Sequence, residues 1–231
     1  GDGVVVGVLD TGIWPEHPSF SDPDNAGNPY PAPPGGPYDC EFGNTAWNPT
    51  DEPFTCNNKL IGAYEFMDTY KAVVGLDPGE FASARDSDGH GSHTSSTAAG
   101  NAGVEASILG TSFGMVSGIA PRAHIIMYRV CGGPTGSCYA SDSAAAVEQA
   151  ILDGVDVLNF SIGGGTNPYS DIVSLAFLSA FDNDVFVACS AGNSGPGADT
   201  TGHREPWTTT VAASTQSRTF EGYISITADN G

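Results

Sequence analysis

The sequence predicts an α/β domain with a doubly wound, mainly parallel central sheet and helices on both faces. Three observations carry that prediction. The opening run Val4-Val5-Val6-Gly7-Val8-Leu9 is apolar almost without a break, as a strand covered on both faces must be. Strand-like and helix-like segments alternate through the second half of the chain, which implies crossover units and a parallel sheet. At 231 residues and 39% hydrophobic, the chain is ample for one core and short for two.

Taken in order, residues 4–9 form the first strand and end on Asp10. Residues 21–58 are an irregular insertion dense in Pro, Gly, Asn and Asp. A stretch that long inside a compact domain is usually functional or stapled. Residues 92–100, rich in Ser, Thr and Ala, suit a helix packed tightly in the core, and 124–130 read as a strand. Ser141 or Asp142 can cap a helix to about Asp153, with Ala144, Val147, Ala150 and Ile151 on one face and Gly154 as its stop. Residues 155–160 return as a strand, Ser170 or Asp171 caps an apolar helix to about Phe181, and 185–188 and 208–213 continue the sheet. The alternation of Phe220, Tyr223, Ile224 and Ile226 marks 219–227 as a further strand segment. In such sheets ligands gather beyond the carboxyl ends of the strands, where Asp10, Ser161 and Asn193 all fall.

Composition narrows the function classes. Seven Lys and Arg stand against 27 Asp and Glu, a formal net charge of -20 that repels phosphates and argues against nucleic acid as a partner. No apolar run approaches a membrane span, and no basic-then-apolar leader opens at Gly1. Cys40 and Cys56 bracket the irregular insertion, Cys131 and Cys138 a short Gly-Pro loop, and both pairs read as loop-closing disulfides. Two disulfides imply an oxidising compartment and hence a secreted, extracellular protein. Neither pair has Cys-x-x-Cys spacing, so no metal is assigned to them. Cys189, after Val185-Phe186-Val187-Ala188, reads as a buried small apolar side chain.

Three segments carry chemistry: Asp10-Thr11-Gly12, Asp86-Ser87-Asp88-Gly89-His90-Gly91-Ser92-His93, and Ser190-Ala191-Gly192-Asn193-Ser194-Gly195. Imidazole is matched to proton transfer at neutral pH, and the glycines on either side of His90 let a substrate approach closely. An acid that accepts the other ring N–H fixes the tautomer and stabilises the imidazolium. Taken alone, Asp10 would read as a turn residue; the three segments together say otherwise.

In that order these segments resemble the subtilisin-like serine proteases (subtilases), and Thr11-Gly12-Ile13-Trp14-Pro15-Glu16 resembles the cucumisin-like branch well known from plants. The resemblance spans residues 3 to about 215. It implies that Asp10 orients the base, that His90 is the general base, with His93 only supporting it, and that Asn193 donates to the oxyanion. In this family such a donor is worth about 3 kcal/mol. It further implies that Ser161, Ile162, Gly163 and Gly164, with Ala191 and Gly192, line the substrate cleft, where an extended peptide adds through main-chain bonds. The family's Gly-Thr-Ser nucleophile segment does not occur after Asn193. Gly110-Thr111-Ser112 imitates it, but it precedes Asn193 and runs on as Phe113-Gly114, so Ser112 reads as a loop residue.

The expected function is therefore a serine endopeptidase that hydrolyses peptide bonds through an acyl-enzyme. Residues 1–215 would be part of the catalytic domain, and 216–231 a terminal segment leading toward a further domain. The expected partners are polypeptide substrates, the remainder of the catalytic domain carrying the Ser, and a propeptide; the chain alone is expected to be inactive. No cofactor is expected: an acidic, loop-rich fold is compatible with structural calcium, but no ligand set is assignable. An aspartic protease would need a second Asp-Thr-Gly or Asp-Ser-Gly, and a zinc hydrolase a spacing other than that of His90 and His93. The remaining alternative is a non-catalytic subtilase-fold protein that binds peptides or partners.

Overall fold

The computed structural model describes residues 1–43, 53–133, 137–165, 167–217, 219 and 221–222. The terminal strand expected over 219–227 therefore lies largely outside the described residues. Along the chain run β1 (Val5–Asp10), β2 (Leu60–Glu65), α1 (Asp68–Val73), α2 (His90–Ala99), β3 (Val104–Ile108), β4 (Thr111–Val116), β5 (His124–Arg129), β6 (Cys131–Gly132), β7 (Ser137–Cys138), α3 (Ala140–Asp153), β8 (Val157–Phe160), α4 (Ile172–Asp182), β9 (Phe186–Ser190) and β10 (Thr209–Val211).

Six of these strands form one sheet in the order β10-β9-β8-β1-β5-β2, every neighbouring pair parallel. All six carboxyl ends thus share one edge. The chain moves outward from β1 on one side and then returns to its other side at β8, which makes β1 and β8 the place where strand order reverses. Crevices form at such a reversal.

Strand alternation divides the core into two layers. Val5 and Leu9 of β1, with Ile126 and Tyr128 of β5, face Ala146, Val147 and Ala150 of α3 and Val173, Phe177 and Ala180 of α4. Val6 and Val8, with Ile125 and Met127, face the opposite way and pack with Ala98 and Ala99 of α2. Both faces of β1 are covered, which is why its sequence is apolar throughout. The fold is the doubly wound α/β arrangement.

Local signals account for most boundaries. Asp171 caps α4, its carboxylate accepting from Ser174 N at 2.8 Å. Gly154 ends α3 at φ 70°, a left-handed conformation that favours glycine. Asp142 does not cap its own helix, contrary to expectation. It sits in the first turn of α3, and its carboxylate accepts instead from Thr69 N at 2.9 Å and Tyr70 N at 3.0 Å of α1. Ser112 lies on β4, not in a loop. The β3–β4 hairpin escaped sequence reading because it buries little: Ile108, Phe113 and Met115 are exposed, so no alternating pattern marks it.

Both expected disulfides are formed, Cys40–Cys56 and Cys131–Cys138, and Cys189 is a buried free thiol. Among the described residues, the basic side chains of Lys59, Arg85 and Arg129 are fully buried. The Lys59 ammonium donates to the carbonyls of Ala99, Pro121 and Ala123, and burial pushes its pKa down to about 7. No helix among the described residues is long and apolar enough to cross a membrane.

Candidate active site

Asp10 closes β1 at the carboxyl edge, and His90 opens α2 eighty residues later. Their side chains meet: His90 Nδ1 lies 2.7 Å from Asp10 Oδ1. Asp10 is 1% exposed and receives two further hydrogen bonds, from Thr11 N at 2.7 Å and Thr94 Oγ1 at 2.9 Å. The His90 side chain is half exposed. With Nδ1 engaged, Nε2 is the nitrogen left for proton transfer.

The electrostatics follow from this placement. Burial raises the Asp10 pKa, outweighing the hydrogen bonds from His90, Thr11 and Thr94. Burial pulls the His90 pKa down, but the hydrogen bond and charge of Asp10, with Asp88 and Asp86 nearby, outweigh it and leave the imidazole above its ordinary value. A buried carboxylate against a half-exposed ring therefore makes His90 a stronger base than free imidazole.

Two parts of the sequence hold this pair in register. Ile13 N donates to Ala84 O at 3.0 Å and Asp86 N to Ile13 O at 3.2 Å, so the segment after β1 pairs with the segment before α2. Arg85, fully buried, reaches Glu16 through two bonds of 2.9 and 2.6 Å and lies over the Trp14 ring at 5.2 Å. Asp86 then organises the helix start. Its Oδ1 accepts from Asp88 N, Gly89 N and Thr11 Oγ1, and its Oδ2 from Ser92 N and Ser92 Oγ. Gly91 allows the final approach: a Cβ there would lie 2.1 Å from Gly12 O. Asp86, Thr11 and Thr94 carry no role in the sequence expectation. The signals were present, since Asp86 precedes Ser87-Asp88-Gly89 as a turn-forming Asp does and Thr94 follows His90 by one helical turn.

The other candidates lie on the same edge. Leu9 pairs with Phe160 and Phe160 with Cys189, so Asp10, Ser161 and Ser190 occupy one row across β1, β8 and β9. Ser161, Ile162, Gly163 and Gly164 continue past β8. The Ile162 carbonyl lies 3.2 Å from Ser190 Oγ and 3.1 Å from His203 Nε2. Gly163 and Gly192 face open space. Ala191 is tied by its N–H to Val211 O at 2.8 Å, while Asn193 is exposed and, among the described residues, hydrogen-bonds to neither Asp10 nor His90. His93 is also exposed and lines a cavity of about 470 Å³ with Trp14, His17 and Ser96, away from the Asp10 carboxylate.

A carboxylate–imidazole pair at the crevice edge, beside an open Gly-bordered segment, is an arrangement for moving one proton to and from a bound reactant. Comparison with known proteins agrees in kind. The model of the Subtilase family matches residues 1–229. Among curated relatives from Arabidopsis thaliana, the chain is 43% identical to Subtilisin-like protease SBT1.3 over 226 residues, 96% of this chain and 28% of the relative. It is 45% identical to Subtilisin-like protease SBT1.7 over 223 residues, 94% of this chain and 28% of the relative. For Subtilisin-like protease SBT1.5 the identity is 41% over 230 residues, 98% of this chain and again 28% of the relative. The chain thus spans 28% of the length of the curated relatives it matches. With the parallel sheet, the Asp10–His90 pair and a family match over nearly its whole length, the chain belongs to the subtilase family.

Proposed function

We propose that this chain supplies the acid, the base and an oxyanion donor of a secreted serine endopeptidase, and that the attacking serine comes from polypeptide beyond these residues. The observation that carries this is the 2.7 Å contact between His90 Nδ1 and the buried Asp10 carboxylate. His90 Nε2 takes the serine proton as the hydroxyl attacks the scissile carbonyl. The imidazolium that forms is stabilised by Asp10 and then protonates the leaving amine. Asn193, in its exposed turn, donates its amide N–H to the oxyanion. Ser161 to Gly164 and Ala191 to Gly192 border the cleft, and the lack of side chains at Gly163 and Gly192 leaves room for a bulky substrate residue. Secretion is supported by the two disulfides. The remainder of the catalytic domain and a propeptide are further proposed partners.

The test is hydrolysis of a chromogenic peptide by the intact protein, with an initial burst that reports the acyl-enzyme. Asn193→Ala is expected to lower kcat by roughly 10²–10³-fold, and the isolated 231 residues to show no turnover. Sequence beyond Gly231 is a second check. A following Gly-Thr-Ser supports the enzyme, and a substituted Ser supports a non-catalytic peptide binder instead.

A further inference from the structure

Behind the segment 161–164 lies a second cluster that the proton-transfer pair does not use. Cys189 of β9 and His203 and Glu205 of the following loop are 2%, 1% and 3% exposed. One ligand atom from each lies within 4.8 Å of the others.

The hydrogen bonding of this cluster is incomplete in a specific way. His203 Nε2 lies 3.1 Å from the Ile162 carbonyl, which only accepts, so Nε2 carries its hydrogen. In a neutral imidazole the lone pair is then on Nδ1, and Nδ1 faces Glu205 Oε1 at 3.1 Å, another acceptor. Two lone pairs do not face each other across that distance without a positive charge between them. Glu205 Oε2 is buried and, among the described residues, has no hydrogen-bond partner. A second proton on His203 would satisfy Oε1 but would leave Oε2 orphaned. A divalent cation would use all three groups. Thiolate and carboxylate would balance its two charges, which a buried site requires.

We propose that Cys189, His203 and Glu205 bind a borderline-soft divalent cation of the zinc class, with water in the fourth position. Mixed sulfur, imidazole and carboxylate ligands suit that class. The Ile162 carbonyl is the outer partner that fixes the ring tautomer, as such carbonyls do for metal-bound histidines. The bound ion would also brace the cleft wall, because the His203 ring packs so closely on Gly164 that a Cβ there would lie 2.1 Å from it. The site does not depend on the protease reading. It also departs from the sequence expectation, in which the paired cysteines and His90 with His93 are weighed as ligands and none is assigned a metal.

The test uses the intact protein, stripped with a chelator and dialysed against zinc or cobalt. The stripped protein is expected to take up zinc, and the cobalt form to show a thiolate-to-cobalt charge-transfer band. Cys189→Ala should abolish the band and lower zinc uptake by about one equivalent per chain. Glu205→Gln should weaken binding at least about tenfold. In the unmutated protein, zinc should protect Cys189 from alkylation as mapped by mass spectrometry, a readout that holds even if the variants fold poorly. Absence of the band, equal zinc uptake by Cys189→Ala, or equal alkylation with and without zinc would overturn the site and leave an imidazolium–carboxylate ion pair in its place.

Discussion

Thr11 Oγ1 donates to Asp86 Oδ1 across 2.9 Å, joining residues 75 apart in sequence, and the same oxygen accepts from Gly91 N at 2.8 Å. One hydroxyl thus ties the acid's strand to the base's helix. Thr11→Val keeps the volume but leaves the Gly91 N–H and one Asp86 lone pair unpaired in a buried place. A loss of about 1–3 kcal/mol is expected in the denaturant unfolding of the intact protein. A change below about 0.5 kcal/mol, within the range of ordinary surface substitutions, would mean that this hydroxyl is not what couples the two elements.

Gly91 sets the distance between α2 and the turn after β1. Gly91→Ala would place a methyl group 2.1 Å from Gly12 O, and backbone cannot yield as a flexible side chain can. The helix start must move and carry His90 away from Asp10. A fall in kcat/KM of roughly 10²-fold or more is expected, the scale of a small misplacement of a catalytic group. Near-normal kcat/KM in this variant would show that the close approach is dispensable.

The pH dependence follows from the raised His90 pKa. Protonated His90 cannot accept the serine proton, so kcat/KM should fall as pH drops through that pKa. The acid limb should lie above the ordinary imidazole value of about 6.5. Asp10→Asn removes the hydrogen bond and charge that raise the pKa and leaves burial, which lowers it. The limb should shift to lower pH, with kcat reduced by roughly 10⁴-fold. An unmoved limb would assign the titration to another group.

The Cys40–Cys56 bridge closes a loop of sequence separation 16. Replacing both cysteines by Ser is expected to cost about 3 kcal/mol, less any relief of the folded state, because the unfolded chain regains the freedom of that loop. Thermal unfolding under non-reducing conditions measures it, and an unchanged midpoint would show that the rest of the insertion already fixes its ends.

Most of the sheet is legible where burial imposes a pattern; β2 is buried as well but directly follows the irregular insertion and carries Gly62, and the sequence does not mark it as a strand. β1 shows no alternation because both of its faces are covered, and α4 shows its cap because Asp171 does what an N-terminal Asp does by local chemistry. Asp142 was misread for the converse reason: its carboxylate serves a neighbouring helix, a relationship that sequence spacing does not encode. β3 and β4 were missed because they face water. Asp10 and His90 are legible through their motifs; Asp86 and Thr94 carry local signals of a turn and a helix face, but their partners, like that of Thr11, are set only when segments far apart in sequence come within 3 Å of each other. The cluster of Cys189, His203 and Glu205 had no spacing signature, since the loop after β9 folds back to bring it together.

The central claim is that His90, held by Asp10, activates a serine. The most direct measurement is covalent labelling of the intact protein by a fluorophosphonate, comparing the unmutated form with His90→Ala. Labelling of a single serine in the first and none in the second is the expected result. Full labelling of His90→Ala at the same rate would contradict the account.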